Sequence, residues 1–162
     1  LIRSMIVHSD NYATMLLHGV TNQELFRQTF SDLGLTAPDV HATDYTLTAR
    51  EYSRFIDVLY DGRYLSLPAS EMAISLLCES DFSQGIRRML PLQLTIAHKF
   101  GESGKPGRQE LHETAIIYLE DKPYLLTIMT KGSNSQMLAD VLAQISKLVY
   151  DNMGVNAQQH HS

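Results

Sequence analysis

The sequence predicts an α+β domain in which helices precede an antiparallel sheet. Helix signals follow one another through residues 1–90, three β-branched and apolar runs follow between residues 92 and 130, and an apolar stripe with helical spacing comes last. With 162 residues, 44% of them hydrophobic, the chain can bury the core of one domain. We expect a helical subdomain over 1–90, a three-stranded meander with a final helix over 91–153, and a tail over 154–162.

Capping residues divide the helical half. A short helix begins at Asp10 and reaches about His18. Thr21 and Glu24 match a capping box, in which the hydroxyl and the carboxylate satisfy free backbone N–H groups, and Gly34 supplies the left-handed residue that ends a helix. The stripe that this second helix should bury consists of Leu25, Phe26, Thr29, Phe30 and Leu33.

A second capping box predicts the next helix. Thr48 and Glu51 begin it, and it should extend to about Tyr60. Its apolar face consists of Tyr52, Phe55, Ile56 and Leu59. A further amphipathic helix is expected over 69–79, with Cys78 as a small core residue, followed by an irregular turn over 81–89.

Three runs in the second half predict strands, over 92–99, 111–119 and 124–130. Residues 101–107 contain three Gly and one Pro and are interpreted as a flexible connection, so Lys99 should end the first strand. Residues 120–123 suit a tight hairpin turn. Asn134 should cap the final helix, whose stripe, expected to cover one sheet face, is Met137, Leu138, Val141, Leu142, Ile145, Leu148 and Val149.

Charge and hydropathy exclude two classes of partner. The net charge is −5 with a sequence pI near 5.7, and Arg87-Arg88 is the only basic pair, whereas proteins that bind nucleic acid gather basic residues on one face. No apolar run approaches the length that spans a bilayer. We expect a domain that binds neither nucleic acid nor membrane.

Two short motifs carry the candidate chemistry. Ser9-Asp10-Asn11 lies at a helix start, where the Ser9 hydroxyl could relay a proton and the Asn11 amide could hold a substrate amide. The second motif is Lys99-Phe100-Gly101. A lysine there can attract a substrate carboxylate and raise the acidity of a nearby hydroxyl such as that of Ser9.

Residues after Lys99 suggest an oxyanion site. Gly101 has no β-carbon, so another chain can approach the strand edge closely. The backbone N–H of Glu102 would then be free to stabilise an oxyanion.

Together these stretches resemble the penicillin-recognising serine hydrolases, which include class A β-lactamase-like proteins and D-alanyl-D-alanine peptidases. S-D-N precedes a variant of K-[ST]-G in the family's order, and the resemblance covers residues 4–150. It implies an antiparallel sheet flanked by helices beside a helical subdomain. It also implies an extracytoplasmic bacterial protein that acts on small β-lactam or peptidoglycan-type amides without cofactor or metal. The residues it places at the site are Ser9 and Lys99 as catalytic groups and Asn11, Phe100, Gly101 and Glu102 as substrate-binding groups.

The chain departs from the family pattern in three places. No Ser or Thr is followed three residues later by Lys, so the S-x-x-K that carries the nucleophile is missing. Phe100 replaces the motif's Thr or Ser, and the loop before Thr48 has no counterpart of the glutamate that activates the deacylating water. We therefore expect a fragment or processed piece that is inactive alone, with an N-terminal segment of the same protein as its partner.

Other interpretations stay open at this point. One is a non-catalytic relative that binds a cell-wall fragment or a protein partner. Another is a stand-alone interaction domain in which both motifs are accidental, which predicts that Ser9 and Lys99 lie far apart. A homo-oligomer could cover a sheet edge left open. A metal site could be built from His98, His112, Glu110 and Glu113, although the spacing matches no metal motif and surface strand residues are the alternative.

Overall fold

The structure, a computed structural model, describes residues 1–39, 45–119 and 122–159, with side chains described as far as residue 153. Within these residues, six helices and three strands follow one another, and from residue 11 onward their order is the one that the sequence predicts; the short helix over residues 2–7 is not among the predicted elements. The helices are α1 (Ile2–Val7), α2 (Asn11–Val20), α3 (Gln23–Asp32), α4 (Ala49–Tyr60), α5 (Leu67–Cys78) and α6 (Ser135–Gln159). A short 3-10 helix (Ile86–Met89) precedes the strands β1 (Ile96–Lys105), β2 (Arg108–Ile117) and β3 (Tyr124–Gly132).

The sheet is an antiparallel meander in the order β1-β2-β3, with helices on both faces. One face packs against α6 and the 3-10 helix through Ile86, Leu111, Ala115, Ile128, Leu138 and Leu142, among others. The other face packs against α4 and α5 through Ile56, Leu77, Ala97 and Ile116. A third apolar cluster joins α3 to α4 around Phe30, Leu33 and Leu35. The predicted α+β class is confirmed.

The caps of the helices agree with the sequence in three cases and differ in one. The Asn134 side-chain oxygen accepts from the Met137 N–H at 3.1 Å, as predicted for α6. Thr48 and Glu51 form the predicted capping box, with the Glu51 carboxylate 2.8 Å from the Thr48 backbone nitrogen. Gly34 has the left-handed φ of +67° that ends α3. The cap of α3, however, is Asn22, whose side-chain oxygen accepts from the N–H groups at positions 24 and 25, so the box predicted for Thr21 and Glu24 is wrong.

The first strand is longer than the sequence predicts. The paired strand begins at Ile96 and continues to Lys105, so residues 101–107 are not a flexible connection and Lys99 does not end the strand. A two-residue turn joins Lys105 to Arg108. The glycines belong to the tight end of this hairpin, because Gly104 has a φ of +105° and a β-carbon on it would lie 2.2 Å from the Arg108 carbonyl oxygen.

Three further predictions are corrected. The stripe of α6 is only partly buried, because Leu138 and Leu142 face the sheet whereas Met137 and Leu148 are 65% and 63% exposed. Cys78 ends α5 and is exposed rather than in the core, and Leu25 on α3 is likewise exposed. Helix α6 itself continues to Gln159.

Part of the hairpin turn at 120–123 lies outside the described residues. Within the described part of the chain, no helix is both long enough and apolar enough to cross a membrane.

Candidate functional site

Ser9 lies in a tight turn between α1 and α2. Its φ of +51° is left-handed, which is uncommon for a residue other than glycine. The next residue, Asp10, is the N-cap of α2, and its carboxylate accepts from the N–H groups of Tyr12 and Ala13. The Asp10 side chain therefore caps the helix, and the Ser9 hydroxyl is available to bind another residue.

That partner is Lys99. The Lys99 ammonium donates to Ser9 Oγ at 2.5 Å and to its neighbour's carbonyl oxygen, on Phe100, at 3.2 Å. The contact joins residues 90 positions apart: Ser9 lies in the turn between α1 and α2, and Lys99 lies in the edge strand β1. The prediction that these side chains lie far apart, made for a stand-alone domain with accidental motifs, is wrong.

The environment of Lys99 changes its acidity. Burial lowers the pKa of the ammonium, and the Asp81 carboxylate opposes that shift. An ammonium with a lowered pKa gives up its proton more readily than a free lysine does. The pair of Lys99 and Ser9 can therefore pass a proton within the site.

A cavity of about 360 Å³ lies directly beside this pair, between the helices and the sheet. Its polar lining includes Ser9, Tyr52, Lys99 and Thr114, and its apolar lining is Met5, Ile6, Phe55, Ile56, Leu59, Ala73 and Leu77. The α4 residues include the four predicted for one apolar face. Burial, with a smaller effect of Glu113, raises the pKa of Tyr52 to about 12, so this phenol stays neutral near pH 7.

The outer edge of β1 presents backbone N–H groups away from β2. The Tyr118 N–H donates to the Thr95 carbonyl at 3.1 Å, and hydrogen-bonded pairs alternate with non-bonded pairs along an antiparallel ladder. Every second residue from Thr95 therefore directs its backbone N–H and C=O groups toward β2, and Lys99 is one of these. The backbone N–H of Glu102 points away from β2. A two-residue hairpin turn closes on a hydrogen-bonded pair, so the turn between Lys105 and Arg108 agrees with this alternation. The backbone of Glu102 thus has the orientation that an oxyanion donor needs.

The remaining predicted residues surround this pair without lining the cavity. Asn11 is the exposed first residue of α2. Gly101 follows in β1, where an added β-carbon would lie 3.9 Å from the Tyr52 hydroxyl, an ordinary contact. The Phe100 ring stacks on Phe82 with centroids 4.1 Å apart.

A buried hydrogen-bonded pair of titratable side chains, on β1 and β2, was not predicted as such. His98 Nδ1 lies 2.7 Å from Glu113 Oε1, and both side chains are buried. The other carboxylate oxygen accepts from the Ile86 N–H at 2.8 Å. A β-carbon on Gly85 would lie 2.0 Å from that oxygen, so the position requires glycine. The only signal in the sequence was the presence of two titratable residues in neighbouring strands.

The metal-site alternative finds no support in the described part of the chain. His98 and Glu113 pair with each other, and His112 lies 3.7 Å from Glu110. No group of three or more His, Cys, Asp or Glu within the described ranges could hold a metal ion.

Comparisons with known proteins bear on the family and the fold. The model of the β-lactamase enzyme family matches residues 1–153. No curated protein sequence matches the chain.

Solved structures share the fold at low identity. A β-lactamase from Chitinophaga pinensis is 21% identical, with a TM-score of 0.76 over 93% of this chain and 63% of its own. A class A β-lactamase from Mycobacterium abscessus is 18% identical, with a TM-score of 0.71 over 94% and 63%. A variant of PBP-A, solved as an acyl-enzyme complex with penicillin G, is 19% identical, with a TM-score of 0.75 over 94% and 60%.

The chain therefore spans less than two thirds of the length of these structures. A family model that matches almost the whole chain, together with the shared fold, identifies the chain as a member of the β-lactamase enzyme family.

Proposed function

We propose that this chain forms part of a serine hydrolase that cleaves β-lactam or peptidoglycan-type amides through an acyl-enzyme. The contact of 2.5 Å between the Lys99 ammonium and Ser9 Oγ carries the proposal. It joins the two motifs whose order resembles the family, and it does so beside a cavity and an outward-facing backbone N–H. A variant of PBP-A, which shares the fold, was solved as an acyl-enzyme complex with penicillin G.

In the proposed reaction, a serine from outside this chain attacks the amide carbonyl carbon. Its oxygen forms the new bond to carbon, and its proton passes to a base at the site. The Glu102 N–H stabilises the negative charge that collects on the carbonyl oxygen. As the carbon–nitrogen bond breaks, Ser9 passes a proton to the leaving nitrogen and receives one from Lys99. The lowered pKa of Lys99 suits it to that transfer.

We assign the missing nucleophile to an S-x-x-K segment of the same protein. Apolar side chains form most of the lining of the cavity next to Ser9, which suits the apolar face of a helix. A serine on such a helix would lie next to the proton-transfer pair. The substrate and this segment are then the partners of the chain, and Asn11 and Gly101 contribute to the substrate-binding surface.

The test uses the full-length protein encoded by the gene that contains this chain. A fluorescent penicillin should label it covalently, and Lys99→Ala or Ser9→Ala should slow acylation by about 100-fold, the usual scale for losing a proton-transfer group. Lys105→Ala is the matched control, since that lysine lies at the exposed tip of the same hairpin. The chain of 162 residues alone should not be labelled, and stable labelling of it would contradict the external nucleophile.

A second candidate is a non-catalytic relative that binds a cell-wall fragment or a protein. The observation that favours it is Phe100, which stands where the family motif carries a hydroxyl. The full-length sequence distinguishes the two, because an S-x-x-K upstream of Ser9 supports the enzyme and its absence supports the binding module.

Family membership also supports an extracytoplasmic place in a bacterial cell, in the periplasm or at the surface. Cell fractionation with an antibody against the chain tests it, and recovery with cytoplasmic markers would contradict it.

A further inference from the structure

Two stacked aromatic rings lie beside Lys99. The rings of Phe82 and Phe100 stack with centroids 4.1 Å apart and planes 17° from parallel. The Phe100 ring centroid also lies 4.8 Å from Lys99 Nζ, within the range of a cation–π contact. Both rings are half-buried, so part of each remains open to solvent.

The ammonium beside these rings is already engaged. A lysine ammonium has three donors, and here Ser9 Oγ and the Phe100 carbonyl oxygen accept two of them. The Asp81 carboxylate, which is 57% exposed, acts on the same ammonium and also lies 2.8 Å from His8 Nδ1. Glu102 adds an exposed acid two residues beyond Phe100. A substrate anion would meet a cation with one donor left and with the Asp81 carboxylate acting on it.

We propose that the surface beside Lys99 formed by Phe100 and Phe82, the cleft of this proposal, binds its substrate through a neutral, apolar group packed on the two rings, and that it does not select a substrate carboxylate there. This inference rests on the proposed function, because it assigns the substrate class of the same cleft. The preference follows from solvation, since an apolar group gains free energy by covering the rings. A carboxylate would lose water in exchange for at most the one donor that remains on the ammonium.

The experiment compares benzylpenicillin with its methyl ester, which differ by one negative charge. With the full-length protein, the second-order rate constants for acylation are measured for both compounds, and calorimetry measures their dissociation constants. The ester should react or bind at least as well as the acid. Phe100→Thr, which supplies a hydroxyl, should shift the ratio toward the acid by about tenfold, the scale of one hydrogen bond to a charged group.

Two further variants keep the test sharp if Phe100→Thr fails to fold. Asp81→Asn removes an exposed carboxylate, and it should shift the ratio of the two rate constants toward benzylpenicillin by about threefold. Phe26→Thr is the matched control, since this half-buried phenylalanine lies in the distant α3 cluster and should leave the ratio unchanged.

A tenfold or greater preference of the unmodified protein for the acid would overturn the inference, and so would a failure to bind either compound. The outcomes separate the two proposals. Binding with the expected preference but without acylation contradicts the hydrolase and leaves the substrate class standing. Acylation with a strong preference for benzylpenicillin over its ester supports the hydrolase and contradicts the proposed substrate class.

Discussion

Lys99 owes its properties to groups from three separate parts of the chain. Burial beside α4 and α5 lowers the pKa of its ammonium, Ser9 accepts a hydrogen bond from it, and Asp81 supplies a compensating negative charge. The ammonium is thereby charged yet readier to lose its proton than a free lysine.

This balance can be measured at Asp81. The Asp81 carboxylate favours the charged ammonium, so Asp81→Asn should lower the pKa of Lys99 further, and the midpoint of its titration should move to lower pH. A titration followed by the ¹³Cε resonance of Lys99 measures the shift.

Asp151→Asn is the control for that titration, because Asp151 pairs with Lys147 on α6, on the other side of the sheet. An unchanged or higher midpoint for Lys99 in Asp81→Asn would show that the carboxylate does not act on it.

At the scale of elements, helices α2, α3, α4 and α6 begin where a side chain accepts from their free N–H groups, whereas α1 and α5 begin without such a cap. The box at Thr48 and Glu51 is complete, whereas α3 is capped one residue later than its sequence pattern indicates. Asn22 accepts from two backbone N–H groups, while the Thr21 hydroxyl donates back to the Leu17 carbonyl at 2.8 Å and so belongs to α2. Two adjacent polar residues thus serve two different helices.

The two residues should differ in their effect on stability. Asn22→Ala should cost about 1 kcal/mol in the free energy of unfolding, because it removes the cap of α3. Thr21→Ala, at an exposed position, should cost less than about 0.5 kcal/mol. Urea denaturation measures both, and an equal or larger loss for Thr21→Ala would restore the cap that the sequence pattern indicates.

For the whole molecule, the chain leaves an apolar stripe on α6 uncovered. Met137, Val141, Ile145 and Leu148 recur at helical spacing and are all exposed, while Leu138, Ala139, Leu142 and Ala143 of the same helix lie in the core. An exposed apolar stripe of this kind is typical of a contact surface.

In isolation, this stripe should cause self-association that grows with concentration. The double variant Val141→Lys and Leu148→Lys should reduce it, as sedimentation velocity would measure. Gln144→Lys is the matched control, because it adds charge at an exposed polar position of the same helix. A chain that stays monomeric at high concentration would contradict the prediction.

Sequence patterns were reliable where neighbours along the chain decide the outcome. The order of helices and strands, the box at Thr48 and the turn at Gly34 depend on residues within a few positions of one another. The strand ends were wrong because the glycines of 101–107 also suit a tight hairpin, and only pairing with β2 extends β1 to Lys105. The predicted burial of Cys78 and of Leu25 was wrong, because burial depends on which helix faces pack against other elements.

The candidate site shows the same division. The amino-acid sequence by itself determined the fold class, the order of the two motifs and the residue types that they offer, because these follow from local spacing and composition. Only the tertiary structure decided that Lys99 donates to Ser9, that Phe100 stacks on Phe82 and that Asp81 acts on the same ammonium. Those relations depend on how the helices pack on an edge strand, and no local pattern encodes the distance between residues 90 positions apart.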